Sequence, residues 1–293
     1  MMAVQWPLVI FTLFVSIGAG IFGVAGVLAG LGKGASVQAA ATVAALVAVV
    51  IGGVASFVHL QHWDRAFNGF GNLSSGITQE LVAIAVFVVL AVAYLVLSRR
   101  GGAPAWAGWA AALVSAALVV VMANSYGMAA RPVWDTPLLW LYYLSNAVLF
   151  GGLAVAALQG AKGEGGGLAL KVALVGGALT AVALVGYLVY IPSTASMFSS
   201  VGNYFDPTHP TKAMTDPVAA LSGFATGAQA LPFWGGALAL GAVAPLAVSL
   251  LSAKREGASL AGMASVGALC AVAGAVCFRV VLYALGFSVF VFY

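Results

Sequence analysis

Long stretches of this 293-residue chain contain no Asp, Glu, Lys or Arg, among them residues 1–32, 34–63, 101–130, 136–161, 172–205, 218–253 and 257–278. A helix needs about 20 mostly apolar residues to cross the hydrocarbon core of a bilayer, and each of these runs is that long. Hydrophobic residues make up 63% of the chain and charged residues 6%, against about 25% charged in soluble domains. The chain reads as an all-α integral membrane protein. A transmembrane β-barrel would show short alternating segments instead.

Eight spans can be laid out, over roughly residues 7–30, 37–59, 79–97, 105–127, 136–159, 168–191, 228–252 and 258–285. They form a single transmembrane domain over 1–293. The 37 glycines suit close helix contacts, because small residues let backbones approach in lipid. Four short breaks, LGKGAS, SRRGGAP, KGEGGG and AKREG, separate alternate spans. The other connections are longer and richer in Pro, Asn, Asp and aromatic residues. The longest, about 192–227, holds NYFDPTHPTKAMTDP and reads as an ordered cap or docking surface. No internal repeat is evident, so the inverted-repeat pattern of many transporters is missing.

Basic residues divide unevenly. Lys33, Arg99, Arg100, Lys162, Lys171, Lys254 and Arg255 flank the short breaks, whereas Arg65, Arg131 and Lys212 lie on the long connections. Cytoplasmic loops carry the Lys/Arg excess. The expected topology therefore puts the short loops in the cytoplasm and both termini, with the long loops, outside. The net charge of +4 sits in loops as an orientation signal and implies no nucleic-acid partner. The first basic residue is Lys33, so the N-terminal run is expected to be a retained helix rather than a cleaved signal.

The polar residues concentrate between spans two and three, in HLQHWDRAFNGFGNLSSGITQE, residues 59–80. His59 closes the second span. Its proton can move near neutral pH, and it can hydrogen-bond a quinone carbonyl or quinol hydroxyl; the competing reading is an interfacial His bonded to a loop carbonyl. Glu80 opens the third span as its only acid. An ionisable group there points to function, or else caps the helix by interacting with its dipole. Arg65 can pair with Glu80 or meet an anionic lipid or partner. Asn68 and Asn72 each stand near glycine and suit turns. His62 and His209 read as surface residues. Arg279, deep in the eighth span, needs an acid, carbonyls or water, and Tyr283 follows on the same helical face. Asn124, Tyr126, Trp134 and Trp140 read as interfacial anchors. Cys270 and Cys277 share one face of the last span and read as packing residues.

None of the three histidines is paired deep inside the spans, which argues against bis-histidine haem, and two cysteines make no cluster that could hold iron–sulfur. No P-loop or HExxH pattern occurs. The expectation is a chain with no haem, iron–sulfur cluster or metal of its own. Redox work would then use a bound carrier and a separate subunit.

Four segments together resemble a known family: the opening QWPLVIFTLF; the HLxxxxRAFN element of His59, Leu60, Arg65, Ala66, Phe67 and Asn68; SSGITQE ending in Glu80; and the turn of Pro132, Trp134, Thr136 and Pro137. They resemble DmsC, the membrane anchor subunit of dimethyl sulfoxide reductase, strongly through Leu97 and weakly after Gly160. The resemblance implies eight helices in the inner (cytoplasmic) membrane and oxidation of menaquinol. It implies electron transfer to a four-cluster iron–sulfur subunit and on to a molybdenum-bis(guanine dinucleotide) catalytic subunit that reduces an S- or N-oxide. It also implies a quinol site at His59 and Glu80, with Arg65 as a neighbour; Asn68, Arg279 and Tyr283 complete the expected quinol-binding set. The chain departs from the family pattern in its long 192–227 loop, in Ala275 where an acid commonly stands, and in Ser16 where a Gln is expected. The rival reading is a polytopic transporter, for which Arg279 and a gated outer loop would serve. A third is an anchor of the same design for a thiosulfate, tetrathionate or selenate enzyme.

Overall fold

The computed structural model describes residues 4–59, 71–199 and 215–289, with His59 described by its backbone alone. Each apolar run winds into helix: α1 (Trp6–Gly30), α2 (Gln38–His59), α3 (Gly76–Arg99), α4 (Ala105–Tyr126), α5 (Pro137–Ala161) and α6 (Gly167–Ser193). A short α7 (Pro217–Ser222) precedes the seventh span, which is a π-helical segment, Leu231–Val243, continued by α8 (Ala244–Leu251). The last helix is α9 (Gly257–Leu285). Eight spans among the described residues are long and apolar enough to cross a membrane, and their helices end within about three residues of the positions expected from the sequence, except that the sixth span continues through a 3₁₀ turn to Phe198.

Spans end where glycine allows a backbone turn that other residues resist. Gly32 and Gly163 take φ of 70° and 80°. Just beyond them, Lys33 N donates to Leu28 O at 2.8 Å and Glu164 N to Gln159 O at 2.9 Å. This is the bonding of a Schellman stop, which satisfies carbonyls left open at a helix end. At the other end Thr136 caps α5, accepting from Leu138 N, and Pro137 occupies the first helical position, where no amide bond is lost.

Helices α1 and α5 are the most enclosed: 72% and 67% of their most apolar windows are buried within the bundle, against 17% for α3. Helix α1 packs on α2, α4 and α5, while α5 also packs on α6 and α9; α3 rests on α4 and α2, and the seventh span lies against α9. Small residues set these contacts. A Cβ on Gly151 would fall 2.0 Å from Gly20 O, and one on Gly274 would fall 2.1 Å from Gly241 Cα. The α1–α5 and α9–span-seven backbones therefore touch directly, which in lipid replaces a solvent-driven core as the source of cohesion.

Alternating helices divide the connections between two ends. One end carries the short loops and the exposed side chains of Lys33, Arg99, Arg100, Lys162, Lys171, Lys254 and Arg255. The other gathers the start of α1, the end of α9 and the long connections. There the long loop proves to begin and end later than expected, because α6 runs through Pro192 to Ser193 and a 3₁₀ turn, Thr194–Phe198, follows. Its described parts pack down as a cap: Phe198 lies 6.2 Å from Phe287 and Phe224 5.2 Å from Phe233. Asp216 caps α7 by accepting from Ala219 N at 3.1 Å. Residues 200–214, with Tyr204, Phe205 and His209, lie outside the described residues.

Candidate functional site

The polar connection ahead of α3 organises its entry. Asn72 Oδ1 accepts from Ser74 N at 3.1 Å and Ser74 Oγ at 2.6 Å, an Asn-based turn of the kind expected at that position. The helix then starts at Gly76, three residues before the expected 79. This shift moves Glu80 into the second turn, beyond the positions where an acid caps the helix; the first turn of α3 holds no acid. The carboxylate of Glu80 is buried and accepts a hydrogen bond from Ser125 Oγ at the end of α4. The capping alternative for Glu80 is thereby replaced by a bond between helices.

Arg279 is 1% exposed. It stands six residues before the end of α9, about 9 Å along the axis at 1.5 Å per residue. Its Nε donates to Thr12 Oγ1 at 3.0 Å, Nη1 to Ala275 O at 3.2 Å, and Nη2 to Thr12 O at 3.3 Å and Ser16 Oγ at 3.4 Å. Four neutral oxygens thus hold the guanidinium, and the rings of Tyr143 and Tyr142 flank it at 5.0 Å and 6.0 Å, a contact that favours a buried cation. Ser16 and Ala275, two places where the sequence departs from the resemblance, both sit against this one side chain.

A crevice of about 10 Å³ lies beside Arg279, lined by Tyr126, Trp134, Leu139, Tyr143, Arg279, Leu282 and Tyr283. That is about the room one water requires. Glu80 joins this crevice through Ser125, whose chain neighbour Tyr126 lines it, and Tyr143 joins it beneath the Arg279 guanidinium. Carboxylate, tyrosines and guanidinium therefore form one polar cluster at the end of the bundle that carries the termini.

Trp134 closes the cluster. It is buried, donates from Nε1 to Leu282 O at 2.9 Å and meets Tyr283 edge-to-face at 5.2 Å. Arg131 stacks over its outer face at 4.6 Å and donates to Gly286 O at 3.1 Å. Trp134 is thus a plug over the end of α9 and not the interfacial anchor expected from the sequence. Trp140 is 43% exposed.

Of the expected site residues, Glu80, Arg279 and Tyr283 come together in this cluster. His59 ends α2 on the same end of the bundle, with its side chain outside the described residues. Arg65 and Asn68 also lie outside them, as does His62. Thr12, Ser125, Tyr142 and Tyr143 join the cluster without having been singled out in the sequence, and Tyr126 joins it in place of an anchoring role. Their only signal was position: each is a polar or aromatic residue in the first two turns of α1 or α5 or the last turn of α4. Cys270 and Cys277 are free and half-buried; a Cβ on Gly236 would fall 2.4 Å from Cys277 Sγ, which is the packing role expected.

A family model described as the DMSO reductase anchor subunit (DmsC) matches residues 2–208. The chain belongs to the DmsC family. It is a multi-pass membrane anchor subunit of a DMSO reductase-type complex, associated with catalytic and iron–sulfur subunits. The DmsC match includes His59, Arg65, Asn68 and Glu80, whereas Arg279 and Tyr283 lie beyond it. No curated protein matches the chain.

Proposed function

We propose that this DmsC-family anchor binds and oxidises quinol, of the menaquinol type, at the end of the bundle where Glu80 and His59 stand. Oxidation of a quinol releases two protons and two electrons and leaves a quinone. His59 hydrogen-bonds one hydroxyl of the head group and accepts its proton, and Glu80 takes the proton of the other. Arg65 and Asn68, which lie outside the described residues, complete the set of head-group contacts that this reading assigns. The two electrons pass to the nearest cluster of the iron–sulfur subunit and then to the molybdenum-bis(guanine dinucleotide) subunit, which reduces the terminal acceptor.

The observation that carries this reading is the buried Glu80 carboxylate held by Ser125 beside an enclosed cluster of tyrosines and Arg279. A buried ionisable group in a membrane bundle marks a proton or substrate site. The crevice between Tyr126, Tyr143 and Arg279 has room for a water and not for a ring. The head group therefore belongs at the mouth, near α2 and α3, while Tyr283 and Arg279 act from behind through their hydroxyl and charge.

Binding of a quinol-site inhibitor to the purified complex tests the assignment. His59→Ala and Glu80→Gln are each expected to weaken it at least tenfold; unchanged binding in both variants would refute it. On this reading the site lies at the outer membrane face with the partner subunits docked there, which the Lys/Arg excess on the opposite loops supports. In intact cells Leu73→Cys is then labelled by an impermeant maleimide and Lys254→Cys is not; the reverse pattern would invert the topology.

A further inference from the structure

Asn146, in the middle of α5, is 1% exposed, and neither its amide nitrogen nor its amide oxygen has a hydrogen-bond partner. Buried polar side chains are nearly always paired with protein or water, so an amide with both ends open points to what stands opposite it. Helices α5 and α9 run antiparallel in a register fixed at several levels. Tyr142 meets Phe278, with ring centroids 4.5 Å apart. A Cβ on Gly267 would lie 3.2 Å from the Leu153 side chain, and one on Gly160 2.5 Å from Ala261 N. Between these levels Asn146 falls opposite Gly274 and Ala275. The Ala275 carbonyl is the one that anchors Arg279 Nη1.

The side chains also lean toward each other. A helical Cβ tilts toward the helix N-terminus. Arg279 therefore leans inward, as its bonds to Ala275 O and Ser16 Oγ show. Asn146, on the antiparallel α5, leans outward, toward the Tyr142 and Tyr143 rings one turn away that flank the guanidinium. The hydroxyl of Tyr187 on α6 is also buried and unpartnered, and it stands within electrostatic reach of both of those tyrosines.

We infer that Asn146 and Arg279 share a buried water site at the inner end of the polar cluster, with Asn146 a positioning residue for the guanidinium. A buried water makes about three hydrogen bonds to groups that lack partners. The Asn146 amide offers it both a donor and an acceptor, and Arg279 offers the second N–H of Nη1, the one its bonds to Thr12, Ala275 and Ser16 leave over. The site lies one turn deeper than the crevice, and it holds whether or not quinol is the ligand at the mouth.

The test is the thermal unfolding midpoint of the full chain in detergent, with Asn146→Leu and Asn146→Asp made in the Arg279 chain and in an Arg279→Met background. With Arg279 present, Asn146→Leu removes the water's partner and is expected to lower the midpoint by about 2–4 °C. Asn146→Asp pairs with the cation and is expected to hold or raise it. In the Arg279→Met background the order reverses, because the carboxylate is then buried alone. An unchanged or raised midpoint for Asn146→Leu beside Arg279, or equal effects in both backgrounds, overturns the inference. Should the Arg279→Met chain not fold, the order in the Arg279 chain decides: Asn146→Leu below Asn146→Asp supports the shared site, and the opposite order overturns it.

Discussion

Ser125 Oγ, in the last turn of α4, donates to the Glu80 carboxylate in the second turn of α3, and this bond holds a buried acid at one end of the membrane bundle. The same hydroxyl lies 2.9 Å from Met122 O, so its position is fixed from its own helix. Glu80 thus has a defined place although α3 is the least enclosed of the eight spans.

Ser125→Ala removes a hydrogen bond to a carboxylate, an interaction worth about 1.5–3 kcal/mol. Quinol-driven turnover of the complex is expected to fall by about 10- to 150-fold, since each 1.4 kcal/mol is a factor of about ten. Ser125→Thr keeps the hydroxyl and is expected to retain most of the rate. Steady-state assays of the two variants with a reduced quinol analogue check this.

Trp134→Phe keeps a ring against Tyr283 but loses the bond from Nε1 to Leu282 O. The lost bond leaves a carbonyl open near the end of α9 and costs about 1–2 kcal/mol. The unfolding midpoint in detergent should fall by several degrees. Trp140→Phe, on an exposed ring, should leave it unchanged.

Gly274→Ala would drive a methyl to 2.1 Å from Gly241 Cα, whereas a Cβ at Gly262 on the same helix meets nothing within 4 Å. The first variant must separate α9 from the seventh span and is expected to lower the midpoint by an amount equivalent to about 1–3 kcal/mol. The second gains helix propensity, up to about 1 kcal/mol, and should hold or raise it. Paired melts of the two variants separate the packing role from a general effect of losing glycine.

The eight spans were legible in the sequence because absence of charge over about 20 residues has few other meanings. The expected ends were close because glycines and basic residues punctuate the runs. The seventh span's π-helical winding was not legible. Pro232, Gly235, Gly236, Gly241 and Pro245 mark a run where regular bonding is weak, but a uniformly apolar stretch has no stripe from which to read its pitch. The start of α3 moved for a related reason: Gly76, Ile77 and Thr78 carry no helical signal, yet they are enough to turn Glu80 from the end of the helix toward Ser125.

The site divides in the same way. Glu80 and Arg279 stood out because charges are rare in this chain. Trp134 misled, because a tryptophan beside a proline turn suits an interface equally well until its Nε1 is seen to reach Leu282 O. Asn146 gave no warning at all: an Asn amid Leu, Ser and Ala in a span acquires meaning only from the helix opposite. The α5–α9 register supplies that, and it depends on glycines 160 and 267, whose roles are not visible in one dimension.

The central claim is that this anchor oxidises quinol through Glu80, and turnover of the Glu80→Gln complex measures it most directly. Two reductants are compared on the same preparation: a reduced quinol analogue, and a soluble dye that reduces the catalytic subunit without the anchor. The account predicts that quinol-driven turnover falls by ~100-fold, the scale of losing a general base, while dye-driven turnover stays at the wild-type rate. Wild-type rates with both donors would contradict it.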